Sequence, residues 1–342
     1  MPTSTDPRVP DDRAALRSSA NPTGRIATSA PIRTEFDAKA TADEVLAGVD
    51  LSGRAYVVTG GASGIGLETS LALARRGARV VAGVRDPGAA SASLPDTASG
   101  TGLELRQLDL TDAASITRFT AGWEGRLDGL VANAGVMAIP DRRLDGHGWE
   151  LQLATNYLGH FALARGLHRA LADTGESRVV VLSSTAHLRA EVDLDDLHYD
   201  RRPYDRWNAY SQSKTADVLL ATGIAQRWNA EGITANALMP GWITTNLQRH
   251  LDDATLRAMG AMDEQGRRIE QDFFKTPAQG AATSVLLAAS PVLAGVTGRY
   301  FEDNQEAEVV DSGEGRSTGV ARYAIDPGTA ERLWETAVRA LG

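Results

Sequence analysis

The 342-residue chain contains no cysteine, which excludes disulfides, thiolate nucleophiles and thiolate-ligated zinc or iron–sulfur centres. It also lacks a basic surplus: 35 Lys and Arg stand against 44 Asp and Glu, for a formal charge of -9 and a pI near 5.2. A broad cationic face for nucleic acid or anionic lipid is therefore not expected, and a small molecule is the expected partner. No stretch approaches the ~20 apolar residues of a membrane span. Residues 1–31, rich in Pro, Ser, Thr, Arg and Asp, have no apolar core of a secretory signal, so a cytoplasmic protein is expected. The six histidines, at 147, 160, 168, 187, 198 and 250, form no short paired ligand motif, and no metal site is expected.

What the chain does have is a core. At 42% hydrophobic and 23% charged it has the composition of a folded, enzyme-sized body. Residues 1–35 hold few bulky apolar side chains and are read as a flexible tail. The folded domain is expected over 36–342, opening with a short helix at 40–46. From Arg54 onward, β-branched runs at 55–59, 79–84, 103–108, 129–133, 178–183 and 233–239 alternate with helical patterns at 64–76, 112–123, 149–172, 209–229 and 277–289. Strand-then-helix order predicts a doubly wound α/β fold with a mostly parallel sheet. A seventh strand at 299–302 and a closing helix at 327–341 complete it.

Directly after the first run comes Thr59-Gly60-Gly61-Ala62-Ser63-Gly64-Ile65-Gly66, a GxxxGxG pattern leading into helical sequence. Such a turn lets a dinucleotide pyrophosphate approach bare backbone at a helix N-terminus. The second run ends Val84-Arg85-Asp86, where the adenosine ribose should lie. A guanidinium there favours a 2′-phosphate and a carboxylate favours a free 2′-hydroxyl. Arg85 points to NADP(H) over NAD(H), while Asp86 one residue on points the other way. Asp109, followed by Leu110, either accepts the adenine amino group or belongs to a helix cap. Asn133-Ala134-Gly135 either lines the cleft or forms a tight turn.

Tyr210 and Lys214, four apart in Tyr-Ser-Gln-Ser-Lys on a predicted helix, project from one face. An ammonium beside a phenol is expected to pull the tyrosine down from its ordinary value of about 10, making it a usable proton carrier. Ser184 ends the strand before, with Ser183 as its rival.

The ordered set TGGASGIG at 59–66, NAG at 133–135, Asn156, Ser184, YSQSK at 210–214 and Pro240-Gly241 resembles the classical short-chain dehydrogenase/reductase pattern, over about residues 51–342. The segments 41–46, 156–161 and 300–303 look most like the retinol dehydrogenase and WW-domain oxidoreductase branch. The resemblance implies a Rossmann-type sheet, a nicotinamide cofactor, and roles residue by residue. Tyr210 protonates or deprotonates the reacting oxygen, Ser184 hydrogen-bonds it, and Lys214 holds the nicotinamide ribose. Asn156 holds a water linking Lys214 to solvent, or is a buried amide satisfying the backbone. Two departures, Ala132 in place of an asparagine and Met239 in place of a histidine, bear on substrate shape.

The function expected is an NADP(H)-dependent ketoreductase or alcohol dehydrogenase acting on a hydrophobic small molecule, of the secondary-metabolite kind. The alternatives are an epimerase or dehydratase with retained cofactor, and a non-catalytic NADP(H) sensor. A lid is expected over about 240–275, with Trp242, Leu247, Leu251, Leu256, Met259 and Met262 as apolar contacts, and a second wall from Leu188, Tyr199, Tyr204 and Trp207. His160 and His187 are assigned to packing. The resemblance further implies a homodimer or homotetramer paired through the helices at 149–172 and 209–229.

Overall fold

The alternating runs build one sheet whose hydrogen-bonded neighbours follow the order β3-β2-β1-β4-β5-β6-β7-β8. Its strands are β1 (Ala55–Thr59), β2 (Arg79–Val84), β3 (Glu104–Gln107), β4 (Gly129–Ala132), β5 (Arg178–Leu182), β6 (Thr234–Met239), β7 (Tyr300–Glu302) and β8 (Gln305–Glu306). The computed structural model describes residues 30–243, 247–248, 251–258, 260–267, 269, 272–311 and 313–342. Pairing is parallel throughout except for β7 with β8. Every residue of β1 and β4 is buried, so helices must cover both faces. Helices α1 (Gly64–Arg75) and α5 (Ala282–Ala289) pack on one side. Helices α2 (Ala113–Ala121), α3 (Gly159–Ala172), α4 (Arg206–Trp228) and α6 (Pro327–Leu341) share the other core. The chain runs outward from β1 to β3 and then returns to β4 on the far side of β1. That reversal opens a crevice at the carboxyl ends of β1 and β4, where ligands of such sheets bind.

Three expectations change in detail. The sheet gains β8, turned back antiparallel through Asp303 and Asn304 at φ 50° and 63°. The helix expected at 149–172 contains a π turn at Ala154–Leu158, which widens the backbone around Asn156. Of the expected tail, residues 1–29 lie outside the described residues, whereas 31–35 are bound. The Ile32 amide donates to Glu306 Oε2 at 2.8 Å and the Thr34 amide to Gln305 Oε1 at 2.8 Å.

The helices expected to pair between copies both pack against α6. Trp334 of α6 meets Phe161 of α3 edge-on at 4.7 Å and Trp228 of α4 at 5.5 Å. Its ring comes within 3.1 Å of where a Cβ on Gly223 would stand, and Glu331 pairs with Arg227. Helix α4 is buried at every residue from Ala209 to Ala221. Helix α6 lies against the C-terminal end of α4, at Gly223, Arg227 and Trp228.

Candidate active site

The glycine loop is built for close backbone approach. Gly60 has φ +64°, a conformation L side chains rarely adopt. A Cβ on Gly66 would stand 2.3 Å from Gly60 O and 2.5 Å from Asn133 Nδ2. Ser63 begins α1 without capping it through its side chain, which leaves the first turn open to an anionic ligand. Asn133 latches the loop from below: its amide side chain donates to Thr59 O at 2.8 Å, and the backbone amides of Asn133 and Ala134 both donate to Thr59 Oγ1 at 2.9 Å. The Asn133 side chain therefore serves the turn, and the bare backbone of 60–66 forms the cradle.

At the adenosine end, the two readings of Arg85 and Asp86 separate. Asp86 is the N-cap of the short helix Pro87–Ala92, accepting from the Ala89 amide at 3.0 Å, so its carboxylate already has a structural role. Arg85 is exposed at the tip of β2. Asp109 Oδ1 accepts from both the amide and hydroxyl of Thr111, at 2.9 and 2.7 Å, whereas the cap of α2 is Asp112. Leu110 is buried, pressed by Gly159, where a Cβ would come within 2.3 Å of Leu110 O. Gly241, after Pro240, takes φ +106°, and a Cβ there would meet Lys275 Cδ at 2.7 Å.

The fold brings Tyr210, Ser184 and Lys214 together. The Ser184 hydroxyl hydrogen-bonds the Tyr210 phenol, which is itself buried. Ser183 points away and donates to the Lys214 carbonyl at 2.7 Å, so Ser184 is the serine that reaches the phenol. Lys214 Nζ lies 5.9 Å from the centre of the Tyr210 ring and donates to Leu182 O at 2.9 Å and to Asp217 Oδ2 at 2.7 Å.

The expected fall in the Tyr210 pKa is not what this environment gives. Burial pushes the phenol above its ordinary value, against the opposing pull of Lys214 and Ser184. The Asn156 side chain is held by the protein itself. Its amide nitrogen donates to Val136 O at 3.1 Å and Ser213 Oγ at 2.8 Å, and its Oδ1 accepts from the Val136 amide at 2.9 Å. It is a buried amide that fixes the 135–137 loop beside Lys214.

Both histidines assigned to packing are hydrogen-bonded struts. The His160 ring stands between Thr59 Oγ1 at 2.8 Å and Asn156 O at 2.7 Å. His187 bonds the Ser184 carbonyl through Nδ1 at 2.6 Å and accepts from the Ala321 amide through Nε2 at 3.3 Å. A carbonyl only accepts, so Nδ1 carries the proton in both rings. Burial pulls each down to about 4, leaving neutral imidazoles at ordinary pH. Each ring has one local partner, Asn156 four residues before His160 and Ser184 three before His187, and others far away in the sequence, Thr59 and Ala321.

An apolar wall faces Tyr210. Met137, Ala138 and Ala186 are buried against it, and Trp207, Leu247 and Leu251 pack on that cluster. Of the other expected wall residues, Leu188 belongs to the main core. Tyr199 and Tyr204 pack edge-to-face, with hydroxyls on Asn208 and Ile139 O. Leu256 and Met262 bury one another in a separate cluster. Trp242 stacks on Phe274, and Met259 lies outside the described residues. No helix among the described residues is long and apolar enough to cross a membrane.

A family model described as short chain dehydrogenase matches residues 54–255. The chain is 59% identical over 289 residues to the "Probable oxidoreductase" of Streptomyces lividans, covering 84% of this chain and 97% of that one. It is 34% identical over 304 residues to retinol dehydrogenase 14 of Homo sapiens, covering 83% and 85%. A solved structure of an uncharacterized protein from Mycobacterium paratuberculosis matches with a TM-score of 0.66 at 33% identity, over 89% of this chain and 97% of the other.

Proposed function

Because the chain belongs to the short-chain dehydrogenase/reductase family, near its retinol dehydrogenase branch, and is an oxidoreductase, we propose that it interconverts the carbonyl and alcohol of a hydrophobic small molecule with NADP(H). A nicotinamide dinucleotide is the cofactor, and when bound it supplies or accepts the hydride. The residues present fit it: the cradle of Gly60, Gly61, Ser63, Gly64, Ile65 and Gly66 has no room for added side chains at Gly61 and Gly66. Asp109, Leu110, Asn133, Ala134, Gly135, Pro240 and Gly241 would complete the cleft wall, with Tyr210 and Lys214 at its nicotinamide end. NADP(H) is favoured because Arg85 is exposed at the β2 tip while Asp86 caps a helix.

The observation that carries the reading is the buried Tyr210 phenol, bonded to Ser184 and facing an apolar wall. In reduction, Tyr210 gives its proton to the substrate oxygen as negative charge develops there, and in oxidation it takes that proton back. The Ser184 hydroxyl is the second donor to that oxygen, held in place by the His187 bond to its carbonyl. Lys214 favours the phenolate and would hold the ribose. Asn156 acts on the loop at 135–137. Met137, Trp207, Leu247 and Leu251 favour an apolar substrate, and turnover in the cytoplasm is part of the same proposal. A homodimer or homotetramer is part of the same proposal.

The test is consumption of NADPH and of NADH by the purified protein across a panel of aldehydes and ketones graded in hydrophobicity. Preference for apolar carbonyls with NADPH supports the reading. Equal rates with polar sugars and with NADH would refute its substrate and cofactor halves.

A further inference from the structure

Lys214 and Asp217 form an ion pair at 2.7 Å, one helical turn apart on α4, with side-chain exposures of 6% and 1%. Taking both ions out of water is costly and is offset only by close geometry and additional hydrogen bonds. The ammonium donates such a bond to Leu182 O, but Asp217 Oδ1 is buried without any partner. An amide at this position would avoid burying the negative charge; burial pushes the Asp217 carboxyl up to about 7 against the pull of Lys214, so it is the ammonium at 2.7 Å that favours the carboxylate.

Among the described residues, the surroundings supply no competing anion in contact with Lys214. On α4 it faces Tyr210, and from the π turn and α3 it faces Asn156 and the neutral His160. From β5 come the Leu182 carbonyl and Ser183, whose hydroxyl bonds the Lys214 carbonyl. Tyr157 feels Asp217, and burial holds that phenol in its protonated form. Tyr300 of β7 feels Tyr210 and Glu302, and burial likewise keeps it protonated. Burial pulls the Lys214 ammonium toward the neutral form, and Asp217, with Tyr210, more than reverses that pull. The same carboxylate opposes phenolate formation at Tyr210.

We infer that Asp217 is the built-in counter-ion of Lys214, a positioning residue that holds the ammonium in place and offsets its pull on the Tyr210 proton. It thereby sets the pH at which Tyr210 ionises. This rests on Tyr210 being the proton carrier. Lys214 then serves two opposed demands, staying charged in a dry site without stripping Tyr210 of the proton that carbonyl reduction needs.

The experiment is a phenolate absorbance titration of the cofactor-free protein, comparing wild type, Tyr210→Phe and Asp217→Asn. The difference between wild type and Tyr210→Phe isolates the Tyr210 limb. In Asp217→Asn that limb should move down by about one pH unit or more, the size expected when a nearby opposing charge is removed. The limb of the alcohol-oxidation rate should move the same way. An unmoved or raised Tyr210 limb overturns the role of Asp217. A rate limb that persists in Tyr210→Phe instead overturns the proton-carrier reading, so the two failures are distinct.

A second measurement needs no variant at Asp217. The chain has three lysines, Lys39, Lys214 and Lys275, so labelling their ε-carbons gives a resolvable magnetic resonance titration, assigned by Lys214→Arg. Lys214 should remain an ammonium beyond the ordinary lysine value of about 10.4. Deprotonation below that value would overturn the counter-ion.

Discussion

Thr59 and His160 are joined side chain to side chain at 2.8 Å, the hydroxyl at the end of β1 against Nε2 of an imidazole on α3. With Nδ1–H committed to Asn156 O at 2.7 Å, Nε2 is the acceptor and Thr59 the donor. Thr59 also receives the Asn133 and Ala134 amides. One hydroxyl therefore ties the glycine loop, the 133–135 turn and helix α3 together.

That arrangement requires a neutral His160, as the Ser184 strut requires a neutral His187. Both are pulled by burial to about 4, from an ordinary value near 6.5. A folded-state value below the unfolded one means stability is fully present above about pH 6.5 and is lost as pH falls through that value toward 4. Each ring contributes roughly 3 kcal/mol to that swing. Urea unfolding midpoints measured between about pH 7 and pH 4.5 should decline steeply, and in His187→Phe the decline should be shallower from a lower start. A midpoint independent of pH over that window would contradict both struts.

Gly66→Ala tests the cradle. The added methyl would sit 2.3 Å from Gly60 O and 2.5 Å from Asn133 Nδ2, so the loop must shift, and with it the surface offered to the cofactor. Binding of NADPH, followed by its fluorescence, should weaken at least tenfold, and stability should fall by about 1–3 kcal/mol, the scale of overpacking. Unchanged affinity would place the cofactor elsewhere.

Much of this was legible in the sequence, and what was not has identifiable causes. The strands of a twice-covered sheet are continuous apolar runs, which is why β1 and β2 begin and end where their residues say. Helix α6 is bounded by Pro327, favoured in the first turn, and by the chain end. The π turn at Ala154–Leu158 leaves no mark, because the same side chains suit an α-helix. The choice between Ser183 and Ser184 depends on which hydroxyl reaches Tyr210, and adjacent positions on one strand end do not disclose that. Asp217 stands three residues after Lys214, so their shared face was readable, yet the weight of the pair comes from the burial of both side chains, which the spacing does not disclose. The partners of His187, Ala321 and Tyr300, lie more than a hundred residues away.

Arg85→Ala tests cofactor choice. An exposed guanidinium bonded to a 2′-phosphate contributes on the scale of one charge-assisted contact, about 1.5–3 kcal/mol. NADP(H) affinity should fall by roughly 10- to 100-fold, with NAD(H) affinity nearly unchanged. Equal losses for both cofactors would remove Arg85 from the 2′-phosphate.

Tyr210→Phe keeps the ring against Met137 and Ala186 and deletes only the hydroxyl. With a demonstrated substrate, turnover should fall by roughly 10²- to 10⁴-fold, the range of general acid–base loss, while NADPH affinity changes little. Ser184→Ala should also slow turnover and spare the cofactor, because its hydroxyl meets the phenol and the reacting oxygen. Its effect should be on the scale of one lost oxyanion donor, about 10²-fold or more. Lys214→Ala should damage both quantities, since it removes the proposed ribose contact and leaves Asp217 as an uncompensated buried charge. Burial holds Tyr210 above its ordinary value in the cofactor-free chain, so proton donation is favoured at neutral pH and alcohol oxidation should rise toward alkaline pH. That alkaline limb should vanish in Tyr210→Phe. Near-normal turnover in Tyr210→Phe would mean that another group carries the proton, whatever the fold and the cofactor.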